Sequence, residues 1–238
     1  MRLAVIGDTH GNLPAFEAVL ADLRRQSPDA IVCMGDISFR GPQPAECIEL
    51  VRSLRPLAVV RGNTDMIVGD EERARQSIKA EEVLAHMQYH NSLVRPEAVQ
   101  WLTNLPMTER LTLEGLRVDL FHATPWSIAE TVRPWAPQES MEKLCIDDSA
   151  DLVIYGHIHH PFVRWVHGRQ VVNPGSVGMP FDGDQRAAYA LVDFEAGNLA
   201  VQFRRVQYDV ESVVQMALDR IPLPDPFVNT LRTAQYCF

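Results

Sequence analysis

Three times within the first 65 residues a short, mostly apolar run ends in glycine, and an acidic or amide side chain follows at once. Residues 3–6 lead into Gly7-Asp8-Thr9-His10-Gly11-Asn12, residues 29–34 into Gly35-Asp36, and residues 57–60 into Arg61-Gly62-Asn63-Thr64-Asp65. Short apolar runs bounded by such turn signals read as buried strands. Between them, residues 13–25 set Leu13, Phe16, Leu20 and Leu23 on one helical side, and residues 45–54 form a helix after the loop Gly41-Pro42-Gln43-Pro44. Strands alternating with helices predict βαβ units and a parallel sheet. In such sheets ligands bind beyond the carboxyl ends of the strands. All three polar clusters are therefore bound for the same edge.

A fourth strand, residues 151–155, runs into Gly156-His157-Ile158-His159-His160. His157 and His159 would share a face if the strand continued, or address two neighbouring points if the chain turns, which Gly156 permits. Residues 108–113 and 116–121 flank Glu114-Gly115 as a hairpin whose second arm ends at His122. Residues 123–140, with three prolines and two tryptophans, read as a long loop, and residues 139–147 as a helix. Strands at 162–166 and 170–172 precede Asn173-Pro174-Gly175-Ser176-Val177-Gly178, where Pro-Gly suits a type II turn. Residues 186–194 and 199–206 pair across Gly197-Asn198. Residues 209–220 close as a helix, which Pro222 to Pro226 breaks before a short tail. The charged stretch 71–105 reads as one or two helices. His86 and His90 are spaced i, i+4 on it, as a zinc pair would be, but without a third ligand they read as a solvated helix face. No repeat or composition break divides the chain, which predicts a single domain over 1–238 with residues 207–238 packed on it as a helix and tail.

Composition narrows the function classes. With 46% hydrophobic residues in 238, the chain can bury one substantial core. Its 22 Lys and Arg against 31 Asp and Glu give a net charge of −9, which argues against a nucleic-acid-backbone binder. A phosphate substrate stays open, because divalent cations reverse the local sign. The four cysteines are dispersed with no CxxC pair, neither a zinc-knuckle pattern nor a disulfide framework. The apolar part of the amino terminus is too short for a signal peptide, and no run reaches membrane-spanning length. A cytoplasmic protein is expected.

The strand ends together present Asp8, His10, Asp36, Asn63, His122, His157 and His159. A nitrogen and oxygen set without thiolate suits manganese, iron, zinc, cobalt or nickel better than calcium or copper(I), and manganese is the ion expected. Seven ligands exceed one ordinary site and suit two divalent ions if one carboxylate bridges. Such a pair clamps the attacking and leaving oxygens of an in-line displacement.

Gly7-Asp8-x-His10, Gly35-Asp36, Gly62-Asn63, a lone His122 and Gly156-His157-x-His159 resemble the motifs of the calcineurin-like metallophosphoesterase superfamily, in that family's order. Residues 173–178 resemble the Asn-Pro-Gly-Ser-Val turn of a bacterial branch. The resemblance implies a four-layer αββα sandwich, two mixed sheets between helices, and hydrolysis of phosphate esters by a hydroxide bridging two metals. It puts Asp8, His10, Asp36 and His159 on one metal, and Asn63, His122 and His157 on the other, with Asp36 shared. Gly35-Asp36-x-x-x-Arg40-Gly41 resembles the serine/threonine protein phosphatase form of the second motif. That makes Arg40 a candidate phosphate clamp, its planar fork matching two oxygens, and a catalytic group beside Asp36, Asn63 and His122. One departure is Thr64, where much of the superfamily has histidine; threonine cannot act as a general acid near neutral pH. Asp65 reads as a helix cap, His160 as facing away from the site and His167 as a solvated turn residue. Trp126 and Trp135 either line a cleft or pack at the sandwich edge.

The function so implied is hydrolysis of a small phosphate ester, a diester or nucleotide derivative. A serine/threonine-type phosphatase or dinucleoside polyphosphate hydrolase is the next reading, and a binding scaffold, as one retromer subunit of this fold is, the third. Specificity is expected in residues 71–106 and 123–140.

Overall fold

A computed structural model describes every residue except 78, 147, 148 and 196. Strands β1 (Arg2–Ile6), β2 (Ala30–Cys33) and β3 (Ala58–Val59) run parallel, joined by helices α1 (Leu13–Gln26) and α2 (Pro44–Leu54). Four helices follow, α3 (Asn63–Ile67), α4 (Glu71–Arg75), α5 (Ala80–Leu93) and α6 (Pro96–Thr103). The hairpin β4 (Thr108–Leu113) and β5 (Leu116–Phe121) opens a second sheet, completed by α7 (Gln138–Leu144), β6 (Leu152–Tyr155), β7 (Phe162–Val166) and β8 (Arg169–Asn173) in the order β4-β5-β6-β8-β7. Strands β9 (Ala187–Glu195) and β10 (Asn198–Val206) return to the first sheet, order β10-β9-β1-β2-β3. Helices α8 (Val210–Arg220) and α9 (Asp225–Thr233) end the chain's regular structure.

The alternation of side chains along each strand sets the layers. Leu3 and Val5 of β1 join Val32, Met34, Val118, Leu120, Leu152 and Ile154 in an apolar layer between the two sheets. Their neighbours Ala4 and Ile6 face Phe16, Val19, Leu20, Ile48 and Val51 of the outer helices. On the far side Phe121, Val153 and Tyr155 pack under Met141 and Leu144 of α7. Two mixed five-stranded sheets flanked by helices make the α/β sandwich anticipated from the motifs. Because β1, β2 and β3 are parallel, and β5 and β6 are parallel, their polar loops emerge together.

Four details differ from the sequence reading. The 71–105 stretch holds three helices, since Pro96 restarts the chain at the first turn of α6, where a missing N–H costs nothing. The tail is not irregular, because Pro226 sits in the first turn of α9 and starts it. Strand β3 is only two residues, an edge strand whose pairing continues through Leu57 N–H to Ile31 O and Val60 N–H to Cys33 O. Helix α7 ends at Leu144, and Asp147 lies outside the described residues. No helix among the described residues is long and apolar enough to cross a membrane.

Helix α1, which follows the His10 loop, is locked to the first sheet by one buried carboxylate. Asp22 accepts from Tyr189 Oη at 2.7 Å and from Arg204 at 2.9 and 3.0 Å. Burial acts to raise its carboxyl, but hydrogen bonds from Tyr189, Arg204 and Arg25 prevail and hold it below the usual range. A depressed folded value means stability present above the unfolded pKa and lost as pH falls through the folded one. Replacing Asp22 by Asn should therefore cost about 1.5–3 kcal/mol near neutral pH. Urea titrations of both proteins should show that difference shrinking as pH falls below the carboxylate range.

Candidate metal centre

The loops that leave the strands keep pairing after the strands end. Asp8 N–H donates to Gly35 O, His10 N–H to Asp36 O and Gly11 N–H to Ile37 O, each at 2.9–3.0 Å. To do so the chain adopts a left-handed backbone at Asp8 (φ 54), His10 (φ 48) and Asp36 (φ 52), and again at His157 (φ 68) and His159 (φ 55). Asp, Asn and His tolerate this region better than other side chains, yet each such residue still costs about 1–2 kcal/mol. Five of the seven candidate ligands thus sit in strained conformations, a frequent mark of functional loops.

Three devices hold the loops there. The Asp65 carboxylate, fully buried, accepts from Asp36 N–H (2.7 Å), Ile37 N–H (2.9 Å) and Gly62 N–H (2.9 Å). It caps α3, as the sequence suggested, and also ties the second loop to the third. The Asn173–Gly178 turn ties the two sheets: Asn173 Nδ2 donates to Gly156 O at 2.6 Å, and the Ser176 hydroxyl to Asp8 O at 2.7 Å. Gly175 at φ 79 fits the type II turn. Finally, a Cβ on Gly62 would overlap the Asp36 carboxylate and amide, so only glycine lets the third loop pass behind Asp36.

All seven candidate ligands converge. Asp8, His10 and His159 offer atoms within 4.8 Å of one another, and so do Asp36, His122 and His157. Asp36 Oδ2 lies between the groups, 3.6 Å from His10 Nε2 and 3.4 Å from His122 Nε2. Its Oδ1 accepts from Thr64 N–H at 2.9 Å. Asn63 Oδ1 lies 2.9 Å from His157 Nδ1 and 3.1 Å from His122 Nε2.

The imidazole tautomers follow from their outer partners, because a carbonyl can only accept. His10 Nδ1–H donates to Phe39 O (3.0 Å), His122 Nδ1–H to Met34 O (2.6 Å) and His159 Nδ1–H to Met179 O (2.5 Å). Their Nε2 atoms therefore turn inward. His157 is reversed: its Nε2–H donates to Ala129 O at 3.1 Å, so Nδ1 turns inward. Burial pushes His10 and His157 down to about 4, keeping both neutral.

Acceptors consequently face acceptors. The Nε2 lone pairs of His10 and His159 are 3.2 Å apart, with Asp8 Oδ1 3.1 Å from the latter. Asp8 Oδ2 is buried with no hydrogen-bond partner. At His122 burial acts to lower the pKa, but Asp36 outweighs it and the ring rises to about 10. With Nδ1 committed to a carbonyl, that proton stands at Nε2 between Asp36 and Asn63, the place of positive charge that a divalent ion would take over. Both sets ask for positive charge, and oxygen and imidazole donors of this kind fit divalent transition metals. The carbonyl partners on the far nitrogens are those that orient ligating histidines.

Arg40 (φ 93) is not a solvent-exposed loop charge. It lines the pocket over the acceptor groups and is paired with Glu82 of α5. His86 and His90 are the clearest correction to the sequence reading. They are buried, not solvated. His90 Nδ1–H donates to Asn91 Oδ1, so its Nε2 accepts from the Ser38 hydroxyl at 2.8 Å, and His86 lies against the Phe39 ring. Successive turns of α5, at 82, 86 and 90, thus hold residues 40, 39 and 38. The charged start of this stretch hid that face. His160 bonds its own loop at Ile158 O, His167 pairs with Glu142, and Trp126 and Trp135 are exposed away from the pocket lining.

The model of the calcineurin-like phosphoesterase superfamily domain matches residues 1–197. The chain belongs to that superfamily, a class of metal-dependent phosphoester hydrolases. An uncharacterised protein of Methanocaldococcus jannaschii is 31% identical over 92% of this chain and 93% of its own. Phosphodiesterase YfcE of Escherichia coli is 26% identical over 81% of this chain and 88% of its own. The crystal structure of a metallophosphoesterase from Sphaerobacter thermophilus superposes with a TM-score of 0.77 at 30% identity, covering 98% of this chain and 100% of that one.

The packing of Gly62 behind Asp36 gives a direct test. Gly62→Ala should displace the carboxylate and weaken divalent-metal binding by at least about tenfold, the scale on which misoriented ligands cost affinity. Calorimetric metal titration reads this, and unaltered affinity would show that the loops can yield.

Proposed function

We propose that this chain hydrolyses small phosphate esters, diesters or nucleotide derivatives, at two divalent transition-metal ions held by these seven side chains. The observation that carries the reading is the position of Asp36 Oδ2 between two separate groups of inward-facing acceptors. Asp8, His10 and His159 with Asp36 would hold one ion, and Asn63, His122 and His157 with the same carboxylate the other. His157 and His159 then serve different ions although only one residue separates them. Manganese is the ion proposed first, and the donor set accommodates iron, zinc, nickel or cobalt as well.

When bound, two such ions polarise phosphoryl oxygens and make water nucleophilic at neutral pH. The protein's own groups do the positioning. The Nδ1–H bonds of His10, His122 and His159 keep those rings from rotating, and Thr64 N–H fixes the Asp36 carboxylate through Oδ1. Arg40, held by Glu82, lines the same pocket and presents the planar fork that suits phosphoryl oxygens. A cavity of about 130 Å³, lined in part by Phe181, Tyr236 and Phe238, favours a small ester over a phosphoprotein. Competent ligands at all seven positions favour an enzyme over a binding scaffold.

Metal-dependent turnover of bis(p-nitrophenyl) phosphate, lost on chelation, is the primary test. Asp36→Ala should remove metal from both positions by elemental analysis and lower turnover by more than about 100-fold. Two equivalents still bound would refute the shared carboxylate.

Thr64 generates a second test. Its hydroxyl is buried without a hydrogen-bond partner, and it lines the pocket where a general acid would stand. A positioned acid is worth about 10²–10⁴-fold, most for alkyl esters, whose alkoxides leave badly unprotonated. Nitrophenyl esters should therefore turn over well and serine phosphate poorly, with Thr64→His recovering part of the deficit. Equal rates on aryl and alkyl esters, with chemistry rate-limiting, would place the acid elsewhere.

A further inference from the structure

Two kinds of residue line the pocket: the candidate ligands His10, Asp36, Asn63, His157 and His159, and the apolar Phe181, Tyr236, Phe238 and Met179. The rings touch in series. Phe181 stacks on the His159 imidazole, centroids 4.0 Å apart and planes 18° from parallel. Tyr236 meets Phe181 edge-on at 5.3 Å, Phe238 meets Tyr236 at 5.9 Å, and Phe238 lies 4.4 Å from the Arg40 guanidinium.

The chain spends structure on this series of rings. Phe227, Val228 and Leu231 of α9 form a small core with Val213, Val214 and Ala217 of α8 and with Met179. Ala234, at φ 51, then turns the chain out of the helix. Gly183 N–H to Ala234 O (2.9 Å) and Gln185 Nε2 to Arg232 O (2.6 Å) fasten the end of α9 beside the segment that carries Phe181. The result leaves Tyr236 62% exposed at the pocket mouth. A large ring left in water there adds little to folding. Aromatic side chains beside polar groups in one pocket are instead the make-up of a small-ligand site. A protein partner would need about 1,000 Å² of surface or more.

We propose that Phe181, Tyr236 and Phe238 form a subsite for a flat aromatic group attached to the substrate's phosphoryl, and that Tyr236 and Phe238 determine specificity for it. Specificity then lies partly in the carboxyl-terminal segment, in addition to residues 71–106 and 123–140 where the sequence suggested it. The inference rests on the phosphoesterase reading only for the phosphoryl beside the ring.

Binding of ligands without a leaving group separates the two. Phenylphosphonate and methylphosphonate are titrated calorimetrically into the metal-loaded protein. The phenyl ligand should bind about tenfold more tightly, the upper range for one aromatic pair. The ratio should fall to within about twofold of unity in the Tyr236→Ala/Phe238→Ala double variant and persist in Tyr236→Phe. Should the alanine variant fail to fold, Tyr236→Leu/Phe238→Leu keeps apolar bulk, removes the ring faces and reads the same ratio. The methylene-phosphonate analogue of adenosine monophosphate distinguishes sources, since its base lies a ribose away from phosphorus. Preference for it over phenylphosphonate indicates a nucleobase, and the reverse an aryl ester. Equal affinity for phenyl and methyl ligands, no binding of any ring-bearing ligand, or a preference untouched by both double variants overturns the proposal. Phenyl preference without hydrolysis of any ester would instead overturn the phosphoesterase reading and leave the subsite standing.

Discussion

Lone pairs repel, and side chains that offer them are crowded into one small volume here. Two imidazole nitrogens face each other at 3.2 Å, and one oxygen of Asp8 has no donor at all. Such a cluster survives in a fold only if the surrounding backbone cannot relax away from it. The rest of the structure supplies that rigidity: paired loops, the triple acceptance by Asp65, the turn that stitches the two sheets, and a glycine behind Asp36. The left-handed residues add several kcal/mol of cost. The apolar layer between the sheets, built of Leu3, Val5, Val32, Met34, Ile154 and their neighbours, is what offsets it.

Helix α5 shows how a packing element reaches the chemistry without touching it. Its residues 82, 86 and 90 lie on successive turns, while residues 38–40 form one stretch of loop, so one helical face grips three consecutive residues. Ser38, His90 and Asn91 form a hydrogen-bonded row like that of a hydrolase. Ser38 and His90 are both buried, so the row fastens a loop. A neutral His90, pushed down to about 4 by burial, suits that task, since a buried charge there would lack a counter-ion.

Legibility followed the physics of each element. Strands β1, β2 and β6 were plain because burial on both faces makes them continuously apolar, and the polar groups after them stood out against that background. The order of strands in each sheet was not readable, since pairing of β9 with β1 joins residues nearly 190 apart and leaves no local trace. His86 and His90 were misjudged because an i, i+4 polar pair looks the same whether it faces water or a loop. The positive φ values at Asp8, His10, Asp36, His157 and His159 had a weak signal in residue type alone. Residues 225–238 were the larger miss. Prolines that look like breakers began α9, and the aromatics beyond it had no motif to mark them.

The reversed ring of His157 sets it apart from its three counterparts. Theirs are fastened to carbonyls of Met34, Phe39 and Met179 beneath the surface, whereas His157 leans on Ala129 and Thr131, within a long surface loop, and is itself less deeply covered. The centre thus has a sheltered side and a side whose geometry is borrowed from the periphery. A change in that loop reaches the second group through His157, whereas the carbonyls behind His10 and His159 belong to the buried residues Phe39 and Met179.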